Sequence, residues 1–375
     1  MKDKKTLIIL SPAFPENEAA DYWVPSQQLM VKALKKNYPG LHVIVIALLY
    51  PYSCTRYTWN GVEVISFDGT HRRKLKRVRL WYDVWKKMKS IYQENEVIGI
   101  LSFWCGECAF IGNYFAKRRS LKHFIWICGQ DARSTNNWVR FIRPKKEQLM
   151  AMSSFLMNEF YKNHKIKPQH IVSNAIDPGM FHAMPGETRD IDVLGAGSFE
   201  PLKQYNVFVR VIKDLSKEIV ALQARHCGIG REQKKIEDQV MQLSLEKNLQ
   251  LLGGKSHDEV LQLMHRTKVF LHTSNYEGCS TVCLEALNAG AHVVSFCYPL
   301  DYPVSHWHVV KSEKEMTEKA LEILQDQHIE YTPVLLYRMD NSAKEVMNLI
   351  NGTGEEHKGN AAHYNLYESQ MNSHH

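Results

Sequence analysis

The sequence predicts two doubly wound α/β domains in tandem. Apolar segments of strand length alternate with helical stretches through the first half of the chain. A run around residues 174–187, with Pro178, Gly179, Pro185 and Gly186 among polar residues, breaks the pattern, and the alternation then restarts. Near-continuous apolar strands separated by helices imply parallel sheets covered on both faces. A length of 375 residues suits about two domains at roughly 100–200 residues each.

In the first half, residues 6–10, 42–48, 62–67, 97–103 and 123–127 are the expected strands, and residues 26–37 fit a helix. In the second half the expected strands are 191–194, 220–226, 249–252, 269–272 and 292–296. The expected helices are 205–215, 232–243, 257–265 and 281–289. This divides the chain into residues 1–180, residues 181–330, and a C-terminal helix with a flexible tail over 331–375. The tail after Gly352 is polar and rich in His, Asn and Glu, which predicts poor order. In two doubly wound sheets, ligands are expected at the carboxyl ends of strands.

Composition excludes several classes. No apolar run reaches the roughly 18–20 residues of a membrane span. Residues 6–10 are too short for a signal-peptide core, and Pro12 interrupts them, so a cytoplasmic location is expected. Eight cysteines are sparse, and Cys128, Cys283 and Cys297 sit in apolar contexts, which suits reduced thiols better than a disulfide framework. The formal net charge of +7 is modest, so its distribution matters more than its size.

Residues 269–296 read VFLHTSNYEGCSTVCLEALNAGAHVVSF. A buried strand ends at His272, a polar loop holds Glu277 and Gly278, and a helix starts near Ser280 and stops near Gly290. Ser280 can cap that helix, and the first-turn N–H groups from Thr281 onward then form an anion site suited to a diphosphate. Gly278 lets a ligand approach the backbone. Glu277 and Glu285, one on each side, can accept hydrogen bonds from sugar or ribose hydroxyls. Spacing alone fits equally a surface loop and a half-exposed helix with solvated glutamates.

This segment resembles the E-x7-E region of retaining glycosyltransferase family 4 (glycosyltransferase group 1). The matching residues are Glu277-Gly278 and Glu285-Ala286-Leu287-Asn288-Ala289-Gly290. The resemblance implies the GT-B fold, two Rossmann-like doubly wound domains facing across a cleft. It places Glu277 beside the donor sugar and Glu285 on the nucleotide ribose. Residues 193–205, VLGAGSFEPLKQY, resemble the family's strand–G-R-L-x-x-x-K loop, with Lys203 at the lysine position and Ser198 at the arginine position. Lys203 is thus expected to neutralise the leaving diphosphate, although alone it reads as a surface lysine. Gly228, Gly230, Gly253 and Gly254 fall where the family turns around the nucleobase and phosphates.

The expected catalytic pair is therefore Glu277 and Lys203. The expected donor-binding set is Glu285, Gly197, Ser198, Gly253, Gly278, Cys279, Ser280 and Thr281. Residues 123–131, HFIWICGQD, resemble a strand ending in the family's H-G-x-D, with Cys128 in place of the histidine. Gly129 and Asp131 are the acceptor-side candidates, Asp131 either meeting an acceptor hydroxyl or capping its own turn. Residues 174–181 resemble the N-G-V-D…F junction element, with a structural role. The resemblance further implies a nucleotide-sugar as substrate, a glycan or lipid-linked acceptor, retention of configuration, and neither metal nor other cofactor. A role in cell-envelope polysaccharide follows from the same likeness.

Residues 71–91, from His71 to Ile91, read HRRKLKRVRLWYDVWKKMKSI, with Val78, Trp81, Trp85, Met88 and Tyr92 on one helical face. This is either a helix packed on the sheet with a solvated basic face or a contact with anionic lipid. No reader motif accompanies the basic run, which argues against nucleic acid. Cys105-Gly106-Glu107-Cys108 has the spacing of a redox pair, but a redox domain leaves the second half of the chain unexplained. Gly195-Ala196-Gly197 lacks the third glycine of a dinucleotide fingerprint, Glu200 standing there. Two rivals keep the GT-B fold: a non-catalytic nucleotide-sugar-binding protein, motivated by Ser198 and Cys128, and a phosphorylase, for which no pyridoxal phosphate lysine is recognisable.

Overall fold

The computed structural model describes residues 4–20, 24–72, 74–182 and 188–353. Residues 183–187 of the expected linker, and the expected tail from residue 354, lie outside the described residues. The chain forms two compact units. One runs to Ala175 and resumes at Met339; the other is Ile176–Arg338. The sequence reading put these boundaries at 180/181 and 330/331.

The first unit is an eight-stranded sheet. Its strands are β1 (Lys5–Ala13), β2 (His42–Tyr50), β3 (Arg56–Trp59), β4 (Val62–Ser66), β5 (Glu96–Phe103), β6 (His123–Ile127), β7 (Leu149–Ala151) and β8 (His170–Ile171). Their order is β3-β4-β2-β1-β5-β6-β7-β8. All neighbours pair parallel except β3 and β4. The β3–β4 hairpin went unread in the sequence. Its turn is Asn60-Gly61, both at positive φ (46° and 72°), the two-residue geometry that Asn-Gly favours.

Helices α1 (Pro25–Asn37), α2 (Leu75–Glu94), α3 (Glu107–Arg119), α4 (Trp138–Ile142) and α5 (Ser154–His164) complete this unit. In α2 the buried stripe is Leu80, Val84, Met88 and Ile91, with Trp81, Trp85 and Tyr92 packed beside it. Val78, expected on that face, is instead 55% exposed, because the stripe steps back along Leu80 and Val84. Glu107 is buried between the two cysteines of the Cys-x-x-Cys. It accepts two Arg77 bonds at 2.5 Å and one from Trp81, tying α3 to α2. Cys105 and Cys108 are buried free thiols, and burial pushes both well above the usual thiol range. That leaves them as weak nucleophiles and does not suit a redox pair.

The second unit is a six-stranded sheet, parallel throughout. Its strands are β9 (Ile191–Ala196), β10 (Ala224–Cys227), β11 (Leu249–Leu251), β12 (Thr267–His272), β13 (His292–Ser295) and β14 (Trp307–Val309). Helices α6 (Tyr205–Glu218), α7 (Gln233–Gln242), α8 (His257–His265), α9 (Thr281–Asn288) and α10 (Glu313–Gln325) alternate with them. The strand expected over 220–226 is shorter than read. Ile219 N closes α6 on Leu215 O, Leu222 N turns back to Ile219 O, and Val220 is 90% exposed. Helix α11 (Met339–Asn351) belongs to the first unit, where Asp340 takes Lys36 Nζ at 2.9 Å and Ser342 Oγ donates to Ser173 O. No helix among the described residues is long and apolar enough to cross a membrane.

Removing the Glu107 carboxylate leaves Arg77 facing a largely dry site. Glu107→Ala is expected to destabilise the first unit by about 2–3 kcal/mol, below the full cost of breaking a buried pair because Arg77 is partly exposed. Urea denaturation followed by tryptophan fluorescence tests this; an unchanged midpoint would show that the pair contributes little.

Candidate functional site

The strand order β11-β10-β9-β12-β13-β14 reverses direction between β9 and β12. In a doubly wound sheet this switch point opens a crevice at the carboxyl edge, where ligands bind. Lys203 follows β9 in the short 3-10 turn Pro201–Lys203, and Glu277 follows β12. Across the switch point, Lys203 Nζ donates to Glu277 Oε1 at 2.5 Å. Thr273 Oγ1 donates to Lys203 O at 2.7 Å, anchoring the backbone that carries the lysine.

His272, the last residue of β12, was not singled out from the sequence. It is buried, and its Nε2 lies 3.5 Å from Glu277 Oε1. Burial alone would raise the Glu277 pKa, but His272 and Lys203 overcome it and bring the carboxyl down to about 2. For His272, burial opposes protonation, yet Cys283 and Glu277 outweigh it and lift the imidazole to about 9. These shifts favour the ionised form of Glu277 and the protonated form of His272.

Glu285 is buried on α9, where its Oε1 meets His257 Nε2 at 2.6 Å. His257 opens α8, whose start is fixed by a capping box between Ser256 and Glu259. Gly278, Cys279 and Ser280 are buried ahead of α9, and Thr281 is half-buried. Ser280 occupies the N-cap position, but its hydroxyl makes no capping bond, contrary to the expectation.

The loops after β9, β10 and β11 are tied backbone to backbone. Gly197 N donates to Cys227 O, Phe199 N to Ile229 O, and Gly228 N to Gly253 O, at 2.8–3.0 Å. Gly228 has φ +151°, and a Cβ there would lie 1.9 Å from Gly197 O. Only glycine allows that approach. Ser198 is exposed at the same edge. The neighbouring cations Arg231 and Lys255 are each paired, with Glu200 and Glu259.

Gly129 and Asp131 lie in the other unit, in the 3-10 turn Gly129–Ala132 after β6. Asp131 Oδ2 accepts from Cys128 N at 2.8 Å, so the carboxyl caps its own turn. Its burial raises its pKa to about 7.

Comparison with known proteins agrees with this geometry. Residues 183–333 match the family model for glycosyl transferases group 1. An uncharacterized glycosyltransferase of Methanocaldococcus jannaschii is 22% identical over 62% of this chain and 65% of its own. The 2-deoxystreptamine N-acetyl-D-glucosaminyltransferase of Niallia circulans is 31% identical over 28% of this chain and 26% of its own. The chain thus spans less than two thirds of the length of these curated relatives. Anabaena HepE, solved with UDP and glucose, has a TM-score of 0.64 at 14% identity, covering 93% of this chain and 97% of that one. WaaG, a glycosyltransferase of lipopolysaccharide biosynthesis, has a TM-score of 0.60 at 16% identity, covering 92% and 98%. These likenesses show the GT-B fold with two Rossmann-like units, and the family match supports glycosyltransferase group 1.

The ion cluster carries a pH signature. His272, with its pKa raised from 6.5 to about 9, contributes stability that is fully present below pH 6.5 and lost as pH rises through 9. Imidazole NMR is expected to show His272 titrating near 9 in the wild type and lower in both Cys283→Ala and Glu277→Gln. An ordinary titration near 6.5 in all three proteins would show that these groups are not coupled.

Proposed function

We propose that this chain is a retaining, metal-independent glycosyltransferase of the family 4 kind. It moves a hexose from a nucleotide-diphospho-sugar to a hydroxyl of a glycan or lipid-linked acceptor, with no bound cofactor. The observation that carries this is the Lys203–Glu277 pair across the switch point of the second unit. A parallel sheet offers its ligand site there, and the two residues are the ones the donor chemistry requires.

The roles follow from the charges. Lys203 meets the diphosphate and stabilises the leaving nucleotide, aided by the N-terminus of α9. Glu277, held at about 2, is no proton donor at neutral pH. It acts as a carboxylate, accepting a sugar hydroxyl and opposing the positive charge that develops at the anomeric carbon. Glu285, oriented by His257, accepts from the ribose through its other oxygen. Gly197, Ser198, Gly253, Gly278 and Cys279 supply close backbone approach around the nucleotide. The UDP and glucose held by HepE, of the same fold, support a nucleoside-diphosphate donor.

A second reading, a nucleotide-sugar-binding protein without transfer, is favoured by Ser198 and Cys128, where the family carries arginine and histidine. It would show donor binding with neither transfer nor donor hydrolysis.

The protein acts on the cytoplasmic side, with peripheral contact to anionic membrane through α2. Leu75, Val78 and Tyr82 recur at helical spacing and are 85%, 55% and 65% exposed among lysines and arginines. That combination fits a lipid headgroup surface.

Calorimetric titration of UDP-, GDP- and ADP-sugars is expected to find one that saturates. Lys203→Ala or Glu285→Ala should weaken it by about ten-fold or more, the loss of one charged hydrogen bond. Folded protein that binds none of the panel would sink the donor assignment, and normal turnover in Glu277→Gln would remove its catalytic role. For the membrane contact, sedimentation with phosphatidylglycerol vesicles should exceed that with neutral ones. The excess should fall about thirty-fold or more in Lys76→Glu/Arg79→Glu, at about 1 kcal/mol per basic residue near the surface. Equal sedimentation would reject the contact.

A further inference from the structure

The first unit holds a cavity of about 490 Å³ beside the turn Gly129–Ala132. Three cations line it, Arg140, Arg143 and Lys165, and no acidic residue does. Val139, Pro144 and Ile166 form its apolar part. A cationic wall with no counter-charge is unfavourable unless a ligand or solvent ions supply one.

The remaining wall is fixed from behind. Asn163 Nδ2 donates to Ala132 O at 2.9 Å, Asn136 Nδ2 to Cys105 O at 2.9 Å, and His164 Nε2 lies 3.2 Å from Asp131 O. The cavity is thus built onto the turn that carries the acceptor-side residues Gly129 and Asp131. Its cations stand at helix ends: Arg143 terminates α4 and Lys165 terminates α5, both in the left-handed region with φ 47° and 60°. Helix C-termini attract cations of themselves. Lys165 is used in that way, its Nζ donating to Lys162 O at 3.0 Å. The guanidiniums of Arg140 and Arg143 form neither a hydrogen bond nor an ion pair with any described residue, so their donors face the cavity or water.

We propose that this cavity seats a phosphoryl group carried by the acceptor. The proposal rests on the glycosyltransferase reading and names the acceptor class: a phosphorylated glycan or a lipid phosphate. Two planar guanidinium forks and an ammonium match the oxygens and multiple charge of a phosphoryl group better than a single carboxylate. An acceptor so held has its charge in the cavity while its sugar part meets the Gly129–Ala132 turn.

The test is calorimetric titration of the full chain with inorganic phosphate and pyrophosphate, with acetate as the carboxylate control. Micelles of alkyl maltoside with or without phosphatidic acid form a second arm. Wild type is compared with Arg140→Ala/Arg143→Ala, with Arg140→Lys/Arg143→Lys, and with Lys203→Ala. Both arginines are exposed and unbonded, so the variants should keep the wild-type circular dichroism.

Phosphate or pyrophosphate binding that survives Lys203→Ala and falls about ten-fold per arginine removed is the expected result. The lysine double variant should lie between. If only phosphatidic acid micelles show this dependence, the phosphoryl group is lipid-borne; if the soluble anions show it, a water-soluble acceptor suffices. Binding that ignores the arginine changes, that vanishes only with Lys203→Ala, that acetate matches, or that is absent in both arms overturns the proposal. Failure of the nucleotide-sugar panel with arginine-dependent phosphate binding intact would instead strike the donor assignment alone.

Discussion

The Glu277 carboxylate lies between Lys203 and His272, and the architecture of the second unit's strand-end loops depends on that arrangement. A carboxylate removed from water is costly unless cations and hydrogen bonds replace its hydration. Here one cation comes from the loop after β9 and the other from the end of β12, the two strands that flank the switch point. The ion cluster therefore fixes the spacing of the two loops between which a ligand must enter. It also favours the ionised carboxyl and the protonated imidazole.

Around that cluster the strand-end loops are joined by backbone hydrogen bonds rather than by long side chains. Gly228 approaches Gly197 so closely that a Cβ on it would lie 1.9 Å from Gly197 O, and a Cβ on Gly197 would lie 2.6 Å from Tyr205 Oη. His226 fills the space beneath, stacked on Phe199 at 4.5 Å, and burial holds it neutral with a pKa of about 3. A site on so tightly joined a frame keeps its dipoles oriented before any ligand arrives, the condition for electrostatic stabilisation of a leaving group.

Most of this was legible because parallel sheets write themselves as apolar runs, and because Glu277, Glu285 and Lys203 sit in spaced motifs. What escaped notice was short or non-local. Strands β7, β8 and β14 have two or three residues each, too few for a periodic signal. The Asn60-Gly61 hairpin did carry a local signal and was passed over. His257 and His272 become partners of the two glutamates only through the fold, although His272 was visible as the last residue of a buried strand, the place where ligands bind. The Ser280 cap failed in the opposite way: its position was right, but its hydroxyl makes no bond to the helix start. Helix α11 could not be assigned to the first unit from sequence, since its contacts with α1 span some three hundred residues.

If the cluster holds the proposed nucleotide-sugar, its charge balance bears on how that ligand is bound. Lys203 spends its short bond on Glu277. A diphosphate arriving there competes with Glu277 for the ammonium. The carboxylate loses least if a sugar hydroxyl replaces that bond, which a nucleotide alone does not offer. An intact nucleotide-sugar fills both vacancies at once, whereas a free nucleotide leaves Glu277 with only His272. On the proposed reading, the same residue pair would favour the nucleotide-sugar over the spent nucleotide, by leaving a largely buried carboxylate under-satisfied whenever the sugar is missing.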